Sequence, residues 1–469
     1  MIRVLLADDH QLARSPAILA GGRRAFDAAN AVDLRGAAEG RSTTGGYRHD
    51  VTDEPAGVTV VGIGADGWPG LSSTATAALI AAQVIFGSSR QLALLPPEVE
   101  GDRVPWPSPL LPALPGLLDA RREQRIAVLA SGDPMFHGIG ATLVRLLGAP
   151  AVRIVPHPSS VSLAAARLGW PLPETDVLSL VTAPVEELHP LVHPGRKILI
   201  LSSGAKTPAA VATLLTSRGY GDSTVTVLAR LGAPTETVLS GPASSVDLTA
   251  VDPLNVVAVT CSAGTAPPAE QASTEAPDPT GPRPLVPGLP DAVYESDGQL
   301  TKREVRAVTL AMLGPRPGEL LWDIGAGSGS IAIEWMRTHR DCRAVAVESS
   351  SERAGRIARN AAALGVPKLR VVEGRAPGAL AGLPAPDVVF IGGGVTRDGV
   401  VDAALAALPA GGRLVANAVT LESEAVLAAW YAKLGGELTR VAVQRAAPVG
   451  GFTGWRAMMP VTIWSVTKP

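Results

Sequence analysis

The sequence predicts an α/β protein. Apolar, strand-like runs alternate with Ala/Leu-rich helical runs along most of the chain. Two of those runs, at 58–67 and 319–329, end in glycine-rich turns that lead into helical spacing. The chain has 469 residues, of which 46% are hydrophobic and 18% charged, so there is enough apolar mass for several cores. At roughly 100–200 residues per domain, two to four domains are expected.

Composition breaks set the domain boundaries. Residues 1–56 begin with a strand pattern at 2–7 and then lose periodicity, and 36–55 is mostly Gly, Ser, Thr and charge, an extension of linker type with no assigned role. The opening Ile-Arg-Val-Leu-Leu-Ala-Asp-Asp-His resembles the first strand of a receiver domain, but the pattern stops soon after His10. Residues 57–261 alternate strand and helix. Residues 262–290 are Pro, Ala, Thr, Glu and Gly with almost nothing to bury, which reads as an interdomain linker that raises the effective concentration of one domain for the other's product. The alternation resumes over 291–469.

In the central region, strand 58–63 runs into Gly62, Gly64 and Gly67, and helical spacing follows over 71–86 with Ser72 or Ser73 as N-cap. Bare glycine backbone lets N–H groups approach a ligand, although two glycines also occur in turns for steric reasons alone. A second strand ends at Ser131-Gly132-Asp133-Pro134 before a helix expected from Thr142, with a turn or N-cap acid as the lesser alternative for Asp133. Strands at 152–155, 197–201 and 225–228 precede the polar turns at Pro158-Ser159-Ser160, Ser202-Ser203-Gly204 and Arg230-Leu231-Gly232. Together, Val61-Gly62-Ile63-Gly64, Ser131-Gly132-Asp133-Pro134, Pro158-Ser159-Ser160 and 230–236 resemble the tetrapyrrole (corrin/porphyrin) methyltransferase family. The family commonly has Pro where Ala65 stands. The resemblance implies two α/β lobes with S-adenosylmethionine (SAM) between them. It implies SAM contacts at Gly62, Gly64, Gly132, Asp133, Pro134, Ser159 and Ser160.

In the C-terminal region, an apolar strand ends in Asp323, followed by Gly325-Ala326-Gly327-Ser328-Gly329 and a helix over 330–337. A dinucleotide enzyme more often carries Gly-x-Gly-x-x-Gly; here the last spacing is one shorter. The next strand, 343–347, ends at Glu348, about 20 residues beyond the glycines, the separation of a ribose-binding acid. Further strands are expected at 387–391, 412–417 and 459–466. This pattern resembles a Rossmann-like class I SAM methyltransferase. Residues 298–306, Glu373-Gly374-Arg375-Ala376-Pro377, 390–393 and Asn417-Ala418-Val419-Thr420-Leu421-Glu422 resemble, more narrowly, the decarboxylating precorrin methyltransferase domain. That family usually has Asp where Arg375 stands. SAM contacts implied by the resemblance are Thr301, Gly325, Ala326, Gly327, Ser328, Gly329, Glu348 and Ala376.

The combined resemblance implies a bifunctional SAM-dependent enzyme of corrin biosynthesis. It would methylate a small-molecule precorrin at C5 in the central domain. In the C-terminal domain it would methylate C15 and remove the C12 acetate carboxyl, using two SAM per turnover. A polycarboxylate substrate calls for cations, for which Lys302, Arg303, Arg306, Arg397 and Arg456 are candidates, each readable also as a solvated charge. Tyr294 is a candidate for substrate contact or for packing. No catalytic acid is assigned. The chemistry needs no metal, and Cys261 and Cys342 give neither a metal cluster nor a disulfide framework. A net charge of −2 offers no nucleic-acid coat, and no apolar run is long enough for a bilayer. A cytoplasmic homo-oligomer acting on neither nucleic acid nor membrane is expected. The competing readings are a dehydrogenase, a SAM methyltransferase for another tetrapyrrole or small molecule, and a two-component signalling protein.

Overall fold

The computed structural model describes residues 57–263 and 283–469. The receiver-like strand at 2–7 and most of the predicted linker lie outside the described residues. The chain divides into two compact units: 57–183, 195–213 and 222–262 form the first; 184–194, 214–221, 263 and 283–469 form the second. The stretches 184–194 and 214–221 thus group with the second unit, where the sequence puts them in the first.

The first unit has two lobes. Its first lobe carries strands β1 (Val58–Ile63), β2 (Val84–Gly87), β3 (Asp102–Pro105), β4 (Ile126–Ser131) and β5 (Val152–Val155). They pair in the order β3-β2-β4-β1-β5, all parallel. Helices α1 (Ser73–Ala81), α2 (Ser89–Leu92), α3 (Leu110–Asp119) and α4 (Ile139–Leu147) alternate with them. A parallel sheet covered on both faces demands strands apolar on both faces, and β1 and β4 are buried along almost their whole length. The predicted helix over 71–86 is in fact α1 followed by β2. Ser72 caps α1, accepting from Ala75 N, and the helix stops at Ala81. Four consecutive buried residues, Val-Ile-Phe-Gly, then form β2. Likewise α4 begins at Ile139, not Thr142, because Gly138 supplies the extended N-cap.

The second lobe contains α5 (Ser160–Leu168), β6 (Asp176–Ser179), β7 (Lys197–Leu201), α6 (Thr207–Ser217), β8 (Thr224–Ala229), β9 (Thr237–Pro242) and β10 (Asn255–Thr260). Its sheet runs β6-β7-β10-β8-β9, parallel only between β6 and β7.

The second unit is a seven-stranded sheet with helices interleaved. Its elements are α7 (Arg303–Leu313), β11 (Leu320–Ile324), α8 (Ser330–Thr338), β12 (Arg343–Glu348), α9 (Ser351–Ala363), β13 (Arg370–Glu373), β14 (Val388–Ile391), α10 (Val400–Ala407), β15 (Arg413–Ala418), α11 (Leu421–Leu434), β16 (Glu437–Val441), β17 (Gln444–Val449), β18 (Phe452–Ala457) and β19 (Val461–Thr467). The order is β13-β12-β11-β14-β15-β19-β16, with β19 antiparallel to both neighbours. From β11 the chain first builds outward to β13, then returns to the other side at β14. That reversal opens a crevice beyond the carboxyl ends of β11 and β14, the usual ligand position in such sheets. Strands β17 and β18 form a separate exposed hairpin.

The end of the predicted linker is not solvated. Leu289 is buried, and the Gly288 and Leu289 amides donate to the Glu334 carboxylate at 2.6 and 3.1 Å. The same carboxylate accepts from Tyr294 Oη at 2.9 Å and Arg306 Nε at 2.5 Å. Arg306 also donates to the carbonyls of Thr301 and Leu289. A buried acid and a buried guanidinium therefore share one saturated network, as burial of charge requires.

Candidate functional sites

Among the described residues, each unit holds a glycine-lined cavity. In the first unit, the register Ile63↔Ser131 across β1 and β4 brings their following turns side by side. The two strands approach too closely for any side chain at Gly62. A Cβ there would lie 2.1 Å from the Gly132 carbonyl oxygen and 2.7 Å from His157 N. Gly132 is left-handed (φ +61°), which carries the chain out of β4. A cavity of about 410 Å³ opens beside these turns, lined by Gly64 and Gly132 of the first lobe, by Ser159 and Ser160 at the start of α5, and by further residues of the second lobe.

Three of the predicted residues do not line it. Gly62 stands behind the wall as the spacer that lets the turns meet. Asp133 Oδ1 accepts from Met135 N at 2.9 Å, a turn role. The Pro134 carbonyl accepts from Gly140 N at 3.0 Å and seats α4. Ser159 has two jobs: it lines the cavity and caps α5 by accepting from Ser162 N. The cavity also presents residues that the sequence reading did not select as site residues, namely Arg90, Ser131, Arg230 and Asn255. Asn255 Oδ1 is buried without a hydrogen-bond partner.

In the second unit, a cavity of about 900 Å³ lies at the β11/β14 crevice. Gly325, Gly327 and Gly329 have φ of +70°, +60° and +76°, so the turn between β11 and α8 is left-handed at every second residue. Their reasons differ. A Cβ at Gly325 would lie 2.7–2.8 Å from three backbone atoms of Gly393, and one at Gly329 2.7 Å from Ile357. At Gly327 the nearest atom is Gln299 O at 3.4 Å, so this glycine faces open space. Gly325, Ala326, Gly327, Ser328, Thr301, Glu348 and Ala376 all line the cavity; Gly329 packs behind it.

Glu348 is buried at the end of β12. Its Oε2 accepts from Gly327 N at 2.9 Å and its Oε1 from Ser350 N at 3.0 Å. The carboxylate thus braces the glycine turn and retains lone pairs for a ligand's hydroxyls. Asp323 lies beneath the turn, fully buried. Burial, and then the charge of Glu348, raise its pKa to about 7 against the bond that its Oδ2 accepts from Ala332 N. Its Oδ1 has no partner. Asn417, at the end of β15, also lines the cavity. Its Nδ2 donates to Thr309 Oγ1 at 3.0 Å and its Oδ1 is buried and unpaired.

The expected substrate cations separate sharply. Lys302 lines the cavity as the N-cap residue of α7, and Arg397 lines it with Nη1 donating to Ala376 O at 3.3 Å. Arg375 and Arg353, which no sequence motif marks as substrate cations, line it too, Arg353 paired with Asp297 at 2.8 Å. Arg303 is exposed away from it, and Arg456 is exposed on β18 opposite Arg445. Arg306 is the clear correction: it has no exposed surface and is consumed by Glu334 and two carbonyls, so it cannot meet substrate. Tyr294 packs in the same network through its bond to Glu334. The signal for this was Glu334, a lone acid inside the apolar run Ile-Ala-Ile-Glu-Trp-Met, which demands a cation.

Among the described residues there is no group of three or more His, Cys, Asp or Glu side chains fit to hold a metal ion, and no helix is long and apolar enough to cross a membrane.

Two unlike glycine-lined α/β units fit a methyltransferase, and the family matches and relatives of this chain show that it is one. Residues 57–247 match the model of the Tetrapyrrole (Corrin/Porphyrin) Methylases, and 292–468 match the Precorrin methyltransferase domain. The chain is 49% identical over 413 residues to the precorrin-6Y C(5,15)-methyltransferase [decarboxylating] of a Sinorhizobium species, an alignment covering 88% of this chain and 96% of that one. It therefore belongs to the precorrin-6Y C5,15-methyltransferase (decarboxylating) family. Two shorter relatives each match a part of it. The probable cobalt-precorrin-6B C(15)-methyltransferase (decarboxylating) of Pyrobaculum calidifontis is 38% identical over 185 residues, 38% of this chain and 94% of that one. The cobalt-precorrin-7 C(5)-methyltransferase of Salmonella typhimurium is 32% identical over 190 residues, 40% of this chain and 92% of that one.

The family uses SAM, and the residues of the second unit fit such a cofactor. Gly327 is bare toward the cavity, and Glu348 can accept from ribose hydroxyls.

Proposed function

We propose that this chain converts precorrin-6B (6Y) to precorrin-8X: methylation at C15 with loss of the C12 acetate carboxyl in the second unit, and methylation at C5 in the first, with two SAM consumed per turnover. The observation that carries this is the pairing of two unlike glycine-lined cavities, one per unit, in a chain whose shorter relatives are named for one half of the chemistry each.

SAM, when bound, supplies a methyl group on a sulfonium, open to in-line attack by an enamine-like carbon of the macrocycle. What the chain must do is hold and orient. In the second unit Gly325, Ala326, Gly327 and Ser328 would hold the cofactor, Glu348 would accept from its ribose hydroxyls, and Thr301 and Ala376 line the same cavity. In the first, Gly64, Gly132, Ser159 and Ser160 do so. Fixed geometry of this kind can contribute roughly 7–11 kcal/mol without any strong base. Lys302, Arg375 and Arg397 give the second cavity the cations that a polycarboxylate needs. For decarboxylation the bond to the carboxyl carbon would break with its electron pair passing into the conjugated macrocycle, carbon dioxide would leave, and a proton would then complete the methyl group at C12; the chain has to seat the carboxylate and control that protonation.

The test is Gly327→Arg, which fills the second cavity alone. C15 methylation and carbon dioxide release should vanish. C5 methylation, assayed on tetrapyrrole already decarboxylated and methylated at C15, should persist. Joint loss of both would contradict the division of labour.

A further inference from the structure

The first unit's cavity carries two positive charges that the glycine turns do not use. Arg90, in the short helix α2, is half-buried at its wall. Its Nη2 donates to Ser131 Oγ at 3.1 Å, and Gln91 Nε2 donates to the same hydroxyl. No carboxylate pairs with Arg90 among the described residues. Arg230 follows β8 and lines the same cavity. It is held in the left-handed region at φ +54°, a conformation that residues with a Cβ rarely adopt. Its backbone N–H is bonded to Leu254 O at 2.9 Å. Its Nη1 lies 3.4 Å from Asp252 Oδ2, and half of its side chain remains exposed. Asp252 is already partly spent, since its Oδ1 accepts from Leu254 N at 2.8 Å.

Two guanidiniums, one carboxylate and a cavity leave a local excess of positive charge. Arg90 feels it: burial chiefly, and the charge of Arg230 second, hold its pKa below the usual arginine range. A half-buried guanidinium with no carboxylate partner is costly unless an anion completes it, and backbone strain at a cavity residue marks a position held for function. A carboxylate suits them, because the planar fork of arginine takes both carboxylate oxygens at once.

We propose that Arg90 and Arg230 form a two-point receptor for a carboxylate side arm of the tetrapyrrole, fixing which edge of the macrocycle enters the first unit's cavity. This rests on the reading of the substrate as a polycarboxylate tetrapyrrole. The rival source of the same chemistry is the carboxylate of SAM itself, and the experiment separates the two.

The full chain and its Arg90→Ala, Arg230→Ala, Arg90→Lys and Arg230→Lys variants are assayed for C5 methylation and titrated with S-adenosylhomocysteine. Loss of a charge-assisted pair predicts a KM for tetrapyrrole raised about tenfold to a hundredfold in each Ala variant. kcat should stay within about threefold, and two S-adenosylhomocysteine sites should remain at unchanged affinity. The Lys variants should recover part of the KM, since charge survives and the fork does not. C15 methylation and decarboxylation should be unaffected. An unchanged KM in the Ala variants overturns the receptor. A tenfold weaker S-adenosylhomocysteine site assigns the arginines to the cofactor and overturns it equally. Should the wild-type chain not methylate C5 at all, the functional reading falls by itself. Titration with uroporphyrin, an octacarboxylate tetrapyrrole, then decides the receptor: loss of one binding equivalent in the Ala variants upholds it, retention overturns it.

Discussion

Gly325 and Gly327 occupy the same turn with similar positive φ, yet replacing them by alanine should have different consequences. At Gly327 the new methyl meets only Gln299 O at 3.4 Å, so the cost is the left-handed backbone itself, about 1–2 kcal/mol. At Gly325 the methyl would lie 2.7–2.8 Å from the N, Cα and O of Gly393. Those are backbone atoms at the end of β14 and cannot rotate away. The β11 and β14 turns must part by several tenths of an ångström, which adds an overpacking cost of about 1–3 kcal/mol. The total for Gly325→Ala is therefore about 2–5 kcal/mol, all of it in the second unit. Because the displaced turn also carries the Gly327 N–H to Glu348 bond, cofactor affinity should fall with stability. Calorimetric unfolding of the full chain, with S-adenosylhomocysteine titration and separate C5 and C15 assays, reads all three effects. Gly325→Ala should lower the second unit's transition and weaken its site; Gly327→Ala should shift both by much less; neither should touch C5 methylation. Equal penalties at the two positions would refute the argument that backbone contact, not φ alone, dictates glycine at 325.

Gly62→Ala, whose methyl would sit 2.1 Å from the Gly132 oxygen, should abolish C5 methylation and leave C15 methylation intact, as two product-specific assays would read. Glu334→Gln removes the charge that neutralises Arg306 in the core and should destabilise the second unit by about 3–5 kcal/mol in denaturant unfolding. The double change Glu334→Met with Arg306→Met should not recover that loss, because it strands the Gly288 and Leu289 amides, the Tyr294 hydroxyl and the Thr301 and Leu289 carbonyls. Asp323 has a folded pKa of about 7, above the value of about 4 for a free aspartate. Its contribution to stability is therefore complete below about pH 4 and lost as pH rises towards 7, by on the order of 2–4 kcal/mol. Asp323→Asn lacks that loss, so its stability relative to wild type should rise across this window; a pH-independent difference would contradict the assignment.

The glycine turns were legible because positive φ and close backbone approach admit almost no other residue, so the constraint is written directly in residue type. The parallel strands were legible for a related reason: burial on both faces requires unbroken apolar runs. What failed was whatever depends on a partner far away in sequence. Arg306 reads as a surface charge at the start of a helix, and only Glu334, 28 residues on, reveals that it is core. Leu289 looks like part of a linker because its neighbours bury little, yet the Glu334 carboxylate ties its backbone down. The run over 71–86 looked like one helix because Ala and Ile serve both states, and only the sheet decides that Val84–Gly87 is strand. The hairpin of β17 and β18 escaped notice because its exposed strands have no buried face to impose alternation. Arg90 and Asn255 reach the first unit's cavity from separate segments with nothing in their local sequence to mark them, whereas Arg230 and Asn417, one in each unit's cavity, open stretches that carry the family resemblances.

The central claim is that one chain carries two methyl transfers and one decarboxylation. Its most direct measurement is the stoichiometry of a complete reaction: purified full-length protein, precorrin-6B and methyl-labelled SAM, with S-adenosylhomocysteine, carbon dioxide and product mass determined together. The account predicts two S-adenosylhomocysteines and one carbon dioxide per tetrapyrrole, and a product bearing two labelled methyl groups. A single methyl group, or two without loss of carbon dioxide, would contradict it.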